Sequence, residues 1–154
     1  MNYVSIIYLA NLSVYGIYFF GKSGSIVNIT FTAYIISSVM SFFLVFAGYL
    51  NAKQKMTYRS VLWVFFVNVL LFIMSGLLDQ FGNNFNLFST GDDSFIFTLA
   101  LIIYNGYLFP LIVTLEKSGF ALVLPVLLSF ILPSLGYWIR KLTAPKNSGS
   151  SEEI

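Results

Sequence analysis

Five apolar runs, each free of Asp, Glu, Lys and Arg, divide the 154-residue chain: residues 3–20, 26–50, 61–78, 95–115 and 120–139. A helix needs about 20 residues, within a range of roughly 17–25, to cross a bilayer. Every run falls in that range. Lipid supplies no water to satisfy a backbone N–H or C=O, so a crossing segment must close its own hydrogen bonds, as a helix does. Barrel strands would be segments of about ten residues with alternating polarity, and that pattern is missing from the chain. The expected fold is therefore all-α, a polytopic integral membrane bundle of about five transmembrane helices. Four crossings plus a re-entrant segment is the alternative.

Composition removes the soluble alternative. The chain is 58% hydrophobic and 9% charged, whereas soluble domains carry about 25% charged residues. A water-soluble fold of this length exposes too much of itself to hide that apolar surface. The runs are separated by GKSGS (21–25), NAKQKMTYR (51–59), DQFGNNFNLFSTGDDS (79–94) and EKSG (116–119). A polar tail, 140–154, follows, and its Ser, Gly, Glu and Lys content predicts disorder. Trp63 lies four residues after Arg59 and Trp138 two before Arg140, the aromatic-beside-base pattern of membrane interfaces. No base precedes the first run and no A-x-A-like site follows it, so that run reads as a transmembrane helix rather than a cleaved signal.

Orientation rests on charge. The 51–59 loop carries Lys53, Lys55 and Arg59, while the 79–94 loop carries Asp79, Asp92 and Asp93 and no base. Positive-inside counting puts the first loop in the cytoplasm. Five crossings then place Lys53, Lys55, Arg59 and Lys117 inside against Lys22, Arg140, Lys141 and Lys146 outside, a tie. A re-entrant fourth or fifth segment would bring the tail back inside and make the tally at least six against two. Pro110, Pro125 and Pro133 offer places for such a break.

Several chemistries are excluded by residue type. The chain has no Cys and no His, which removes disulfides, iron–sulfur and thiolate zinc sites, imidazole ligands and every Ser–His or Cys–His pair. No catalytic residue, metal site or cofactor is expected. The bases are scattered between apolar blocks, so no nucleic-acid surface is expected either. Gly16-Ile-Tyr-Phe-Phe-Gly-Lys-Ser23 matches the P-loop pattern G-x-x-x-x-G-K-[ST]. A P-loop needs a Gly-rich turn between strand and helix, and here four bulky apolar residues sit at the end of a helical run, so no nucleotide is expected. Asn11-Leu-Ser13 and Asn28-Ile-Thr30 fit the glycosylation pattern but lie within spans. Asp92-Asp93 lacks the ligand spacing of a calcium loop.

Polar residues within the runs recur on single helical faces. Tyr8, Asn11, Tyr15 and Tyr18 share one face of the first run, and Thr30, Ala33, Ser37, Ser41 and Gly48 one of the second. Asn68 and Ser75 lie a heptad apart in the third run and lead to Asp79. Thr98 and Asn105 lie a heptad apart in the fourth, and Ser129, Pro133 and Gly136 align in the fifth. Small and amide side chains pack and hydrogen-bond helices together where lipid gives no hydrophobic drive. The competing reading is a polar lane for an uncharged solute along Asn11, Asn68 and Asn105. Coupled pumping is not expected, because it uses ionisable residues within the spans.

The 79–94 loop is the expected surface for a partner. Phe81, Phe85 and Phe88 recur at helical spacing beside Asp92 and Asp93, and such rings rest on the bilayer, the bundle or another protein. The expected protein is a small, non-enzymatic, multi-pass component of a bacterial cytoplasmic membrane, a setting suggested by a Phe, Ile, Tyr and Asn bias that suits an AT-rich genome. It would act by contact with the bilayer and another integral membrane protein or itself, as an accessory subunit or an immunity or exclusion factor. A small transporter or channel subunit is the alternative.

Overall fold

The computed structural model describes residues 2–21, 31–76, 92–115, 118 and 120–144; side chains at 14–21 and 92–95 lie outside that description. Regular structure among the described residues is helical throughout: α1 Tyr3–Gly21, α2 Phe31–Lys53, α3 Arg59–Met74, α4 Asp92–Tyr104, a 3-10 turn Gly106–Leu108, α5 Phe109–Thr114 and α6 Val123–Thr143. By length and composition α2 and α6 are able to cross a membrane, and the bent pair of α4 and α5 would be a third if it were one span.

Polar residues set the helix ends. The Asn2 carboxamide caps α1, its Oδ1 accepting from the Ser5 N–H at 3.4 Å. α2 closes in a Schellman turn: the Lys55 N–H donates to the Ala52 carbonyl and the Met56 N–H to the Asn51 carbonyl, both at 3.0 Å. α2 thus continues three residues past its apolar run, and α6 continues to Thr143, so Arg140 and Lys141 belong to a helix rather than to the tail. Pro125 stands in the first turn of α6, where its missing N–H has no intrahelical partner to lose. Pro133 lies inside α6 without ending it.

The run at 95–115 is not one continuous helix, and its two arms form either a broken span or a re-entrant loop. Its helix starts earlier, at Asp92, and breaks at Asn105, and the two halves meet at 75°. The break does not fall at Pro110, which sits in the first turn of α5 and fits it. Leu101 on one arm and Ile112 on the other pack in one cluster with Ala121, Leu122 and Val126 at the start of α6. Thr114, at the end of α5, lies 2.8 Å from the hydroxyl of Tyr34 near the start of α2. Asn105, at the break, bonds Asn68 in the middle of α3. The break thus lies inside the bundle, and the end of α5 lies beside the start of α2.

Contacts at the helix ends set the arrangement of the other helices. At one end the Tyr3 N–H donates to Asn51 Oδ1 at 2.9 Å and Asn2 Nδ2 to the Ser60 carbonyl at 2.8 Å. The Tyr137 hydroxyl donates to the Met56 carbonyl at 2.9 Å, and Tyr58 pairs with Ser134 at 2.8 Å. The start of α1, the end of α2, the start of α3 and the end of α6 therefore meet there. α2 and α6 run parallel, with α1 and α3 antiparallel to both.

α2 and α6 also approach most closely. A Cβ built on Gly48 would collide with the Pro133 carbonyl, and one on Gly136 with the Val45 carbonyl and the Tyr49 nitrogen. The glycines let backbone meet backbone. The small-residue stripes converge at this seam, with Ser129, Pro133, Gly136 and Gly48 all buried.

Outward, the bundle is apolar. Among described residues, large exposed hydrophobics such as Leu9, Phe31, Phe42, Phe66, Ile96, Phe120 and Leu135 outnumber the buried ones. Hydroxyls on the outer faces bond their own helix: Ser13 to the Leu9 carbonyl, Ser38 to that of Tyr34 and Thr143 to that of Ile139. A hydroxyl on an outer helical face finds its acceptor in the carbonyl one turn back on its own helix.

Candidate functional site

The break at Asn105 lies in the centre of a buried polar cluster contributed by four segments. α1 supplies Tyr8, α3 supplies Asn68, α4 with its break supplies Asn105, and the 3-10 turn supplies Tyr107; all four are buried. Asn105 Nδ2 donates to Asn68 Oδ1 and, at 3.0 Å, to the Leu101 carbonyl. Asn68 Nδ2 donates to the Tyr8 hydroxyl and to the Val64 carbonyl, each at 3.3 Å. The Tyr8 hydroxyl has two acceptors in reach, Asn105 Oδ1 at 3.2 Å and the Tyr107 oxygen at 3.4 Å. One phenolic proton serves one of them at a time.

The reason for this convergence is local. Asn105 ends α4, and its carbonyl is taken by the Leu108 N–H at 2.8 Å, so the chain turns through the 3-10 segment. That turn swings Tyr107 under Tyr8, their rings meeting edge to face at 5.6 Å, while Tyr104 lies against the other side of Tyr8 at 4.9 Å. Irregular backbone at this depth is tolerated where protein surrounds it, and Gly106, Tyr107 and Leu108 are all buried.

The amides singled out by spacing are thus divided. Asn68 and Asn105 are joined directly. Asn11 is also buried, at 3% exposure, but neither its Nδ2 nor its Oδ1 has a hydrogen-bond partner. Asn11 therefore takes no part in the Asn68–Asn105 bond. Ser75 and Thr98 are buried as their stripes implied.

Phe81, Phe85 and Phe88 lie outside the described residues. Asp92 and Asp93 form the first turn of α4 rather than a loop, and their side chains are not described. The Gly16–Ser23 pattern begins inside α1, whose helix runs to Gly21; helical N–H groups bond their own carbonyls and do not form a phosphate cradle.

Spacing missed a second polar knot. Asn51 is fully buried, and its Nδ2 donates to Asn2 Oδ1 at 2.8 Å and to Ser60 Oγ at 3.2 Å. Gln54 reaches the Tyr3 hydroxyl at 2.8 Å. Asn51 reads as loop because it is the first residue after a run, beside Lys53. Tyr107 was hidden among aromatics, and only its place after Asn105-Gly106 sets it apart.

Among the described residues no three His, Cys, Asp or Glu side chains converge. The chemistry on offer is that of amides and phenols: they donate, accept and hold position. Comparison with protein-family models, curated proteins and solved structures finds no match for the chain. The geometry therefore defines a class only, an all-helical bundle with an apolar exterior and a polar cluster buried in an apolar core.

Proposed function

We propose that this is a multi-pass membrane protein that crosses the bilayer four times, through α1, α2, α3 and α6, with residues 92–115 re-entrant. At about 1.5 Å per residue, the 23 and 21 residues of α2 and α6 match a hydrocarbon core of about 30 Å. In this topology the positive-inside count becomes six against two, in place of the tie that five crossings give. The basic end then faces the cytoplasm.

Within that frame the protein acts by contact and not by catalysis, as an accessory subunit or an immunity or exclusion factor in a bacterial cytoplasmic membrane. The observation that supports this is the bond between Asn68 and Asn105: the polar groups of this cluster are spent on one another, leaving the outer surface and loops for recognition. The test is chemical crosslinking and copurification from native membranes, with wild type and with Phe81, Phe85 and Phe88 all replaced by Ser. We expect a stable companion in the first and its loss in the second, with insertion unchanged. No companion in wild type overturns the contact reading; a companion retained by the triple variant removes the 79–94 loop from it.

One observation favours a second reading, passage of an uncharged solute: the unpartnered Asn11 amide. Replacing Asn11 with Leu distinguishes the two. If Asn11 only packs, removing a buried unpaired amide raises stability by about 1 kcal/mol, read as a higher Tm in detergent. If it serves a solute, flux into liposomes falls in the same variant.

A further inference from the structure

The fold gathers every basic residue it describes at one end of the bundle. Lys53, Lys55 and Arg59 lie around the turn from α2 to α3, and the bonds from Tyr137 to Met56 and between Tyr58 and Ser134 draw the end of α6 against that turn. Arg140 and Lys141 therefore join the other three. Arg140 stacks over the Tyr49 ring at 5.8 Å and Lys141 over the Trp138 ring at 5.1 Å.

Lys55 carries the second observation. It holds φ 57, the only described non-glycine residue at positive φ, in the helix-closing position that glycine fills without strain. A chain that keeps lysine there places a charge at a conformational cost, and strain of this kind accompanies function. Trp63 and Trp138, 62% and 48% exposed, stand on helices leaving the same end. Such amphipathic rings settle at headgroup depth.

We infer that the Lys53–Lys55–Arg59–Arg140–Lys141 end is a seat for the phosphodiester headgroup of anionic phospholipids. Lipid, and not a soluble phosphate, is the source, because the flanking tryptophans hold the cations at the depth of a headgroup layer. The inference rests on the membrane reading. That reading fails separately, if the chain is soluble and folded without detergent.

The test is thermal unfolding of the full chain in a neutral detergent, with added phosphatidylglycerol, phosphatidylcholine or free glycerol phosphate. Phosphatidylglycerol raises Tm, the other two do not, and high salt erases the rise. Lys55→Gly raises the lipid-free Tm by removing strain yet cuts the phosphatidylglycerol-dependent rise by at least half. The double variant Arg140→Gln with Lys141→Gln cuts it similarly with no gain in lipid-free Tm. Equal rises with both lipids, or a full rise retained in both variants, overturns the seat; an equal rise with glycerol phosphate overturns the lipid source.

Discussion

Asn105 donates to Asn68 Oδ1, and each residue's Nδ2 also donates to a neighbouring carbonyl or phenol. Interhelical bonds of this kind average about 0.6 kcal/mol and reach about 1.7, and burial of all the partners puts this one toward the upper value. A double-mutant cycle with Asn68→Leu and Asn105→Leu in a detergent unfolding assay should give a coupling energy of about 1.5 kcal/mol. Either single variant should lose more than half the change shown by the pair, because each strands a buried amide. Additive effects would mean the two side chains do not interact. Lys55 shows the opposite balance, since a left-handed conformation costs a non-glycine residue about 1–2 kcal/mol and glycine there would recover part of it.

The element that matters most is the seam between α2 and α6. Gly48 and Gly136 face backbone and not flexible side chains, so an added methyl has nowhere to go. Overpacking a tight site costs about 1–3 kcal/mol, and Gly48→Ala or Gly136→Ala should each fall near the top of that range. The check is unfolding in bicelles beside Ala33→Gly, on the same stripe but only half buried, which should change little. This seam was legible beforehand: small residues every three or four positions in two apolar runs point to close packing whatever the partner helix. The polar pair was legible for the same reason, Asn68 and Asn105 each lying a heptad from another polar residue. The break was not. Pro110 is the residue a reader suspects, yet a first-turn proline suits a helix, while Asn105-Gly106 looks like one more polar contact inside a span. Nor did spacing show that α2 and α6 run parallel, since that follows only once the 92–115 segment turns back.

For the molecule as a whole, the turn at Asn105 decides where every later residue lies. A continuous fourth crossing would put the end of α6 opposite the turn from α2 to α3; the bonds of Tyr137 and Tyr58 to that turn put it alongside. The same change converts a tied charge count into an asymmetric one and creates the basic end. The proposed orientation and lipid seat both rest on that placement of the end of α6. Absence of native cysteine makes it measurable. Thr57→Cys and Thr143→Cys, both exposed at the basic end, and Ser118→Cys, between α5 and α6, would each carry a lone thiol. With a membrane-impermeant thiol reagent on intact cells, only Ser118→Cys should be labelled, and Thr57→Cys and Thr143→Cys should react together once the membrane is opened. Labelling of Thr57→Cys and Thr143→Cys from opposite sides would restore five crossings and contradict the account.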